Sequence, residues 1–326
     1  MRRIQLENSF FEGLNDAYFF DGDGPTTLVD TGVSTENTRE QLRDALATEG
    51  VAFEDLDQIL LTHFHADHAG LAGELQAESG ATVRCHPDDA PLVEHDPDAE
   101  ADVQARHERL FDEWGMPESA QEQLFGFLDG GEGLGGDAAT VEHIEPGDEV
   151  RAGDERLEAM HLPGHTAGLT GYVRTTDGDR ELLSGDALLP EYTPNVGGAD
   201  VRVSAALEKY LATLASIEAA DFARAHPGHR YPIEDPAARA REIIDHHRER
   251  TENVLDALAE HEPATPWQIS AHLFGDLSNI HILHGPGEAS AHLEHLGAHG
   301  LVDRDGDRYQ RTQQNPDIAA LFPDPR

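Results

Sequence analysis

The segment Thr62-His63-Phe64-His65-Ala66-Asp67-His68-Ala69-Gly70 concentrates three imidazoles and a carboxylate in one short stretch. His63 and His65 lie two apart, directly after the apolar run Ile59-Leu60-Leu61, so both can turn toward one ion. Asp67 and His68 open the helix expected next and can face a second ion beside the first. Neutral imidazoles with a carboxylate suit zinc, with iron or manganese as neighbouring choices. Three later segments each follow a strand-like run and offer one more ligand at a glycine-containing loop: Pro163-Gly164-His165-Thr166, Ser184-Gly185-Asp186 and Pro227-Gly228-His229. The remaining histidine pairs, His246-His247, His281/His284 and His292/His295, fall on helical or loop segments without evident partners and read as surface or packing residues. Cys85 is the sole cysteine; it reads as buried packing rather than a nucleophile, and it excludes an internal disulfide or a Cys-built zinc finger.

The elements that must position these groups alternate between strand and helix. Asn15–Phe20 and Thr26–Asp30 around the turn Asp21–Gly24 predict a hairpin, and Ser34 or Thr35 caps a helix to about Ala47. A strand at Asp57–Thr62, a helix at about His68–Glu78 and a strand at Ala81–Cys85 follow. Residues 88–136 break the rhythm with helical segments near Ala99–Trp114 and Ser119–Leu128, an insertion read as a lid or pocket wall, or as a helical pair that packs its aromatics inward. Strands resume at Glu142–Ile144, Arg156–His161, Thr170–Arg174 and Glu181–Ser184, with a helix at Ala205–Ile217. Beyond Asp235 helices are expected at Pro236–Glu262, from Thr265, and at Ala289–Gly300. A short hairpin follows them, the order of a winged helix. The order predicts a layered α/β catalytic domain over 1–235 and a winged-helix-like domain over 236–326.

In this order the motifs resemble the metallo-β-lactamase superfamily, and the Asp30-Thr31-Gly32 element belongs to the same pattern. The resemblance implies an αββα sandwich with a metal centre at one edge. It implies that His63, His65 and His165 hold a first divalent ion, that Asp67, His68 and His229 hold a second, and that Asp186 bridges both. Asp30 would orient the loop from behind. The activity implied is that of a dinuclear zinc-dependent hydrolase, with the ions activating a shared water and Asp67 and Asp186 as catalytic groups. Residues 239–296 look like the winged-helix tail of the lactamase-beta-like subgroup, whose members include enzymes similar to glyoxalase II and single-strand endoribonucleases. Tyr192 and Asn195, in the loop after Asp186, are the candidates for substrate contact.

Charge separates the substrate classes. The chain carries 64 acidic against 23 basic residues, a formal net charge of −41, and Lys209 is its only lysine. That balance on a periodic, glycine-punctuated pattern resembles proteins of extreme halophiles, where molar salt shortens the Debye length to about 3 Å. No apolar run approaches the roughly 20 residues of a membrane span. The residues after Met1 meet acids at once and lack an apolar h-region, so a cytoplasmic protein is expected. The candidate recognition helix bears Glu288 and Glu294 rather than a basic face, so the wing reads as structural or dimerising, giving a homodimer, and not as a nucleic-acid reader. A thioester or other small acyl substrate is therefore preferred, with single-strand RNA as the alternative. Arg230 is the only basic residue near the second-ion motifs, so no glutathione-carboxylate clamp is evident.

Overall fold

The computed structural model describes residues 1–8, 13–130, 133–314 and 316–324. The expected glycine-rich turn at 130–136 and the tail after Gln314 lie partly outside them. The first sheet runs in chain order: β1 (Arg2–Leu6), β2 (Asn15–Phe20), β3 (Thr27–Val29), β4 (Gln58–Leu60), β5 (Thr82–Cys85) and β6 (Val141–His143). Its first three strands pair antiparallel, and β3 to β6 pair parallel. Between them lie α1 (Glu36–Thr48), α2 (Ala66–Ala69), α3 (Ala72–Ser79), α4 (Ala90–Val93), α5 (Pro97–Glu113) and α6 (Glu118–Gly130).

The second sheet has the order β11 (Arg224–Pro227), β10 (Asp179–Gly185), β9 (Thr170–Thr176), β8 (Glu155–His161) and β7 (Glu149–Ala152). Only β10 and β11 pair parallel, as the crossover through α7 (Ala206–Ala219) requires. The chain closes with α8 (Pro236–His261), α9 (Pro266–Phe274) and α10 (His281–Ala298), then a hairpin of β12 (Val302–Asp305) and β13 (Arg308–Arg311).

Side-chain alternation builds the layers. Along β2, Ala17 and Phe19 join Leu42, Leu46 and Leu75 in the core between the first sheet and its helices, while Tyr18 and Phe20 meet Leu157, Tyr172 and Leu183 between the two sheets. A third core covers the far face of the second sheet and brings Leu207, Tyr210 and Leu214 of α7 together with Ile243 and Ile244 of α8 and Leu293 of α10. The result is the expected αββα arrangement, and its apolar core runs unbroken across residue 235. Among the described residues no helix is long and apolar enough to cross a membrane.

Two helices differ from expectation, each for a local reason. The helix expected at His68–Glu78 is two pieces, because the Leu71 N–H turns to Thr31 Oγ1 (3.1 Å). α10 begins at His281, eight residues before the expected start, and carries Gly285-Pro286-Gly287 inside it. There the buried Ile282 and Leu283 pack against Phe111 and Trp114, and a Cβ at Gly287 would lie 2.4 Å from the Cα of Gly198. Tertiary packing overrides the breaker signal.

The histidines of α8 and α10 also differ from the expected isolated residues. His247 Nδ1 lies 3.3 Å from His292 Nε2, and His292 Nδ1 lies 2.7 Å from Thr251 Oγ1. Burial, with His246 and Arg250 nearby, pushes His247 down to about 3. It is therefore neutral when folded, whereas the unfolded chain takes up a proton near pH 6.5. Its contribution is complete above pH 6.5 and is lost as pH falls toward 3, at about 1.4 kcal/mol per pH unit. We expect His247→Gln to unfold more easily at pH 7, and its deficit relative to wild type to shrink by about 2 kcal/mol at pH 5 in denaturant titrations.

Candidate metal centre

The ends of four strands supply the site. His63 and His65 occupy the loop after β4, and Asp67 and His68 lie in α2. His165 follows β8, Asp186 directly follows β10, and His229 follows β11. All seven side chains converge at one edge of the sandwich. His65 Nδ1 lies 3.0 Å from His63 Nε2 and 3.1 Å from His165 Nε2. Two nitrogens on one tetrahedral zinc would stand about 3.3 Å apart. Beside this trio, His229 Nε2 lies 3.4 Å from Asp67 Oδ2, and His68 Nε2 lies 3.8 Å from the same oxygen. Asp186 faces both groups: its Oδ1 is 3.5 Å from His68 Nε2, and its Oδ2 is 3.4 Å from His229 Nε2 and 3.7 Å from His165 Nε2. A Cβ at Gly228 would sit 2.5 Å from both Asp186 Oδ1 and His68 Cε1, so the loop before His229 admits only glycine this close.

The far nitrogen of four of the five imidazoles is committed outward. His68 Nδ1–H donates to Asp30 Oδ2 (2.9 Å), His65 Nε2–H to the Ala199 carbonyl (3.0 Å) and His165 Nδ1–H to the Asn195 carbonyl (2.9 Å). Thr62 Oγ1 gives its proton to Asp30 Oδ2 (2.8 Å) and so accepts from His63 Nδ1–H at 3.0 Å. These bonds select tautomers whose lone pairs all point inward. The inward atoms lack partners: His68 Nε2, His229 Nε2 and Asp186 Oδ1 are buried without a hydrogen bond. Such orphans are costly unless a ligand satisfies them, and the donor set fits divalent cations.

Electrostatics divides the imidazoles. Burial holds His63, His65 and His165 below the ordinary histidine range, His165 at about 4. Burial also opposes charge on His68 and His229, but Asp186 and Asp67 outweigh it and raise both. In return His229 and His68 hold Asp186 well below the usual carboxylate range despite its burial. Asp67 Oδ2 accepts from Asn8 Nδ2 (3.2 Å) and Asn15 Nδ2 (3.3 Å).

A buried network without a sequence signature clamps the loop after His165. Asp89, fully buried, accepts from Thr166 Oγ1 (2.8 Å), Gly168 N–H (3.0 Å) and Arg202 Nη2 (2.7 Å). Asp200 accepts from Ala167 N–H (2.9 Å) and also pairs with Arg202 (2.7 Å). In so acidic a chain neither aspartate stands out from its neighbours.

A cavity of about 760 Å³ lies over the centre, walled by Phe64, Leu189, Pro194, Ile280, Leu283 and Arg230 among others. Tyr192 and Asn195 both line it. The Tyr192 ring lies 4.5 Å beneath the Arg230 guanidinium, which also pairs with Glu191 (2.9 Å). The Asn195 side chain is engaged elsewhere: it donates to the His284 carbonyl (3.2 Å) and accepts from Gly198 N–H (3.1 Å). Its main-chain oxygen is what reaches the site. The insertion at 88–136 does not line this cavity among the described residues; its Phe111, Trp114 and Leu124 buttress Ile282 and Leu283 from behind. The wall itself comes from the start of α10, including His281 and His284, which sequence reasoning set aside as surface or packing residues.

The profile of the metallo-beta-lactamase superfamily matches residues 11–229, and the chain belongs to that superfamily of metal-dependent hydrolases. It is 29% identical over 307 residues to the probable metallo-hydrolase YqjP of Bacillus subtilis, covering 92% of each chain. It is similar to a metallo-beta-lactamase family protein of Thermus thermophilus, with 30% identity, a TM-score of 0.80, and 95% and 98% of the two chains covered. A beta-lactamase domain protein of Burkholderia ambifaria shares the fold at 24% identity and a TM-score of 0.74, over 95% and 92% of the chains.

Proposed function

We propose that this chain is a dinuclear metal-dependent hydrolase of thioesters or other small acyl compounds. His63, His65 and His165 hold one ion, Asp67, His68 and His229 the other, and Asp186 stands between them. The carrying observation is the set of inward lone pairs, fixed by outward hydrogen bonds, around a carboxylate that faces both clusters. Zinc suits these donors, and iron or manganese uses the same ones. When bound, the ions supply the acidity that activates water near neutral pH and the positive charge that polarises a carbonyl oxygen. The protein's own groups orient that chemistry: Asp67 is fixed by two asparagine amides, and Asp30 holds His68 and the Thr62 turn together.

Single-strand RNA is the second reading. It is disfavoured because Arg230 is the only Arg or Lys lining the cavity among the described residues and the chain as a whole repels polyanions. The winged-helix-like segment after residue 235 serves here as core and cavity wall, since Ala291, Leu293 and Leu296 of its last helix are buried. The test compares metal-loaded protein in molar KCl on an acyl-thioester panel and on labelled single-stranded RNA. Thiol release is expected, and RNA cleavage without thioester turnover would reverse the two readings. Asp30→Asn should weaken binding of the second ion about 10–100-fold, measured by chelator competition, because His68 loses the acceptor that orients it.

A further inference from the structure

We infer that the metal cavity continues into a second lobe built for an uncharged, largely apolar arm of the substrate, and that His284 anchors the substrate where the two lobes meet. This rests on the acyl-hydrolase reading above and names its substrate class. A neighbouring cavity of about 300 Å³ shares Tyr192, Asn195, His281 and His284 with the metal cavity, so these residues form the junction between the two. Beyond the junction the lobe is lined by Phe274 and Leu277, with Thr193 and Ser278 as neutral polar groups. Among the described residues its only formally charged ones are Asp276 and Glu288, and no Arg or Lys lines it. Glu288 is paired with Arg250 at 2.7 Å, whereas Asp276 has no ion-pair partner among the described residues. An anionic arm would lose hydration beside the unpaired Asp276, while Arg250, behind the lining, is already engaged with Glu288 and the Phe274 ring. A neutral arm of aliphatic or amide character meets matching surface.

His284 is held for this task by its main chain, whose carbonyl accepts from Asn195 Nδ2 at 3.2 Å. The same Asn195 gives its carbonyl to His165, so the junction and the metal centre share one support. Neither ring nitrogen of His284 makes a hydrogen bond among the described residues. The half-buried ring lines both cavities and can hydrogen-bond to what binds there. A neutral imidazole at this position offers one N–H and one lone pair. In the reaction, water oxygen bonds to the acyl carbon and the carbon–sulfur or carbon–oxygen bond breaks. The leaving atom keeps the electron pair and gains a proton, giving a carboxylic acid and a thiol or alcohol. His284 positions the substrate by hydrogen bonding to the polar atoms of its neutral arm.

The test uses metal-loaded full-length protein in molar KCl and two hexanoyl thioesters, one of N-acetylcysteamine and one of coenzyme A. We expect kcat/KM to favour the N-acetylcysteamine ester by at least about tenfold. Ser278→Arg, an exposed position in the lobe, should narrow that ratio by admitting the anionic arm. His284→Ala should raise KM for the neutral ester about tenfold while metal content stays unchanged, and His284→Gln should restore part of the loss. Calorimetry with the uncleavable thioether analogue should show the same order of affinities. Equal or better turnover of the coenzyme A ester, or an unaltered KM in His284→Ala, would overturn the inference and leave the hydrolase reading standing. No turnover of either ester by metal-loaded protein would instead remove the acyl-hydrolase reading on which it rests.

Discussion

Asp186→Asn is expected to lower kcat/KM for the proposed acyl substrates by about 10³-fold and to cost the purified protein one of the two proposed ions. The side chain keeps its shape, so the loss reports charge rather than volume. Among the described residues Asp186 is the one carboxylate within 4 Å of donors from both clusters, reaching His68 and His229 on one side and His165 on the other. Without its negative charge two neighbouring cations would face each other across an amide, and loss of at least one of them is expected. The check is kcat/KM alongside metal analysis on the same sample, with circular dichroism to show that the fold persists. A variant that retains both ions and near-normal kcat/KM would mean that Asp186 does not stand between them.

Asp89→Ala is expected to destabilise the fold by about 3 kcal/mol and to weaken metal binding at the His165 cluster. Three donors lose their acceptor at once: the Thr166 hydroxyl, the Gly168 N–H and one arm of Arg202. All lie in or against the loop that carries His165. Arg202 retains Asp200, so the penalty is that of partly stranded buried polar groups rather than of a wholly unpaired guanidinium. Asp89→Asn should cost less, because its remaining carbonyl oxygen still serves one of the N–H donors. Denaturant titration in molar KCl measures the stability change, and chelator competition measures the affinity. A change below about 0.5 kcal/mol would show the network to be incidental.

The candidate metal motifs were legible because the spacing of their residues is local. His63, His65, Asp67 and His68 sit in one stretch where a strand ends and a helix starts, and spacing alone brings them to one side. The β2–β3 hairpin was legible for the same reason, through the turn Asp21–Gly24 and the alternation on either flank. The supporting groups were hidden because they are not local. The carbonyls of Asn195 and Ala199 hold His165 and His65 through main-chain atoms that any residue type would present. Asp89 and Arg202 meet across 113 positions of chain. The early start of α10 was obscured because Gly-Pro-Gly is a breaker by intrinsic propensity, and only the packing of Ile282, Leu283 and Gly287 makes it helical. That turn places His281 and His284 in the cavity wall, so the residues hardest to read from sequence are among those that line the cavity over the candidate centre. β1 and β7 went unread as well: β1 shows only a short buried alternation and the edge strand β7 is mostly solvated.

Seven side chains are proposed to grip a pair of neighbouring cations, and anomalous diffraction at the zinc edge, from crystals grown with zinc, examines that pair. Two peaks about 3.5–4 Å apart are expected, one ligated by His63 Nε2, His65 Nδ1 and His165 Nε2, the other by Asp67, His68 and His229, with Asp186 reaching toward both. A map with no peak at these side chains, or with its strongest peaks at other histidines, would contradict it.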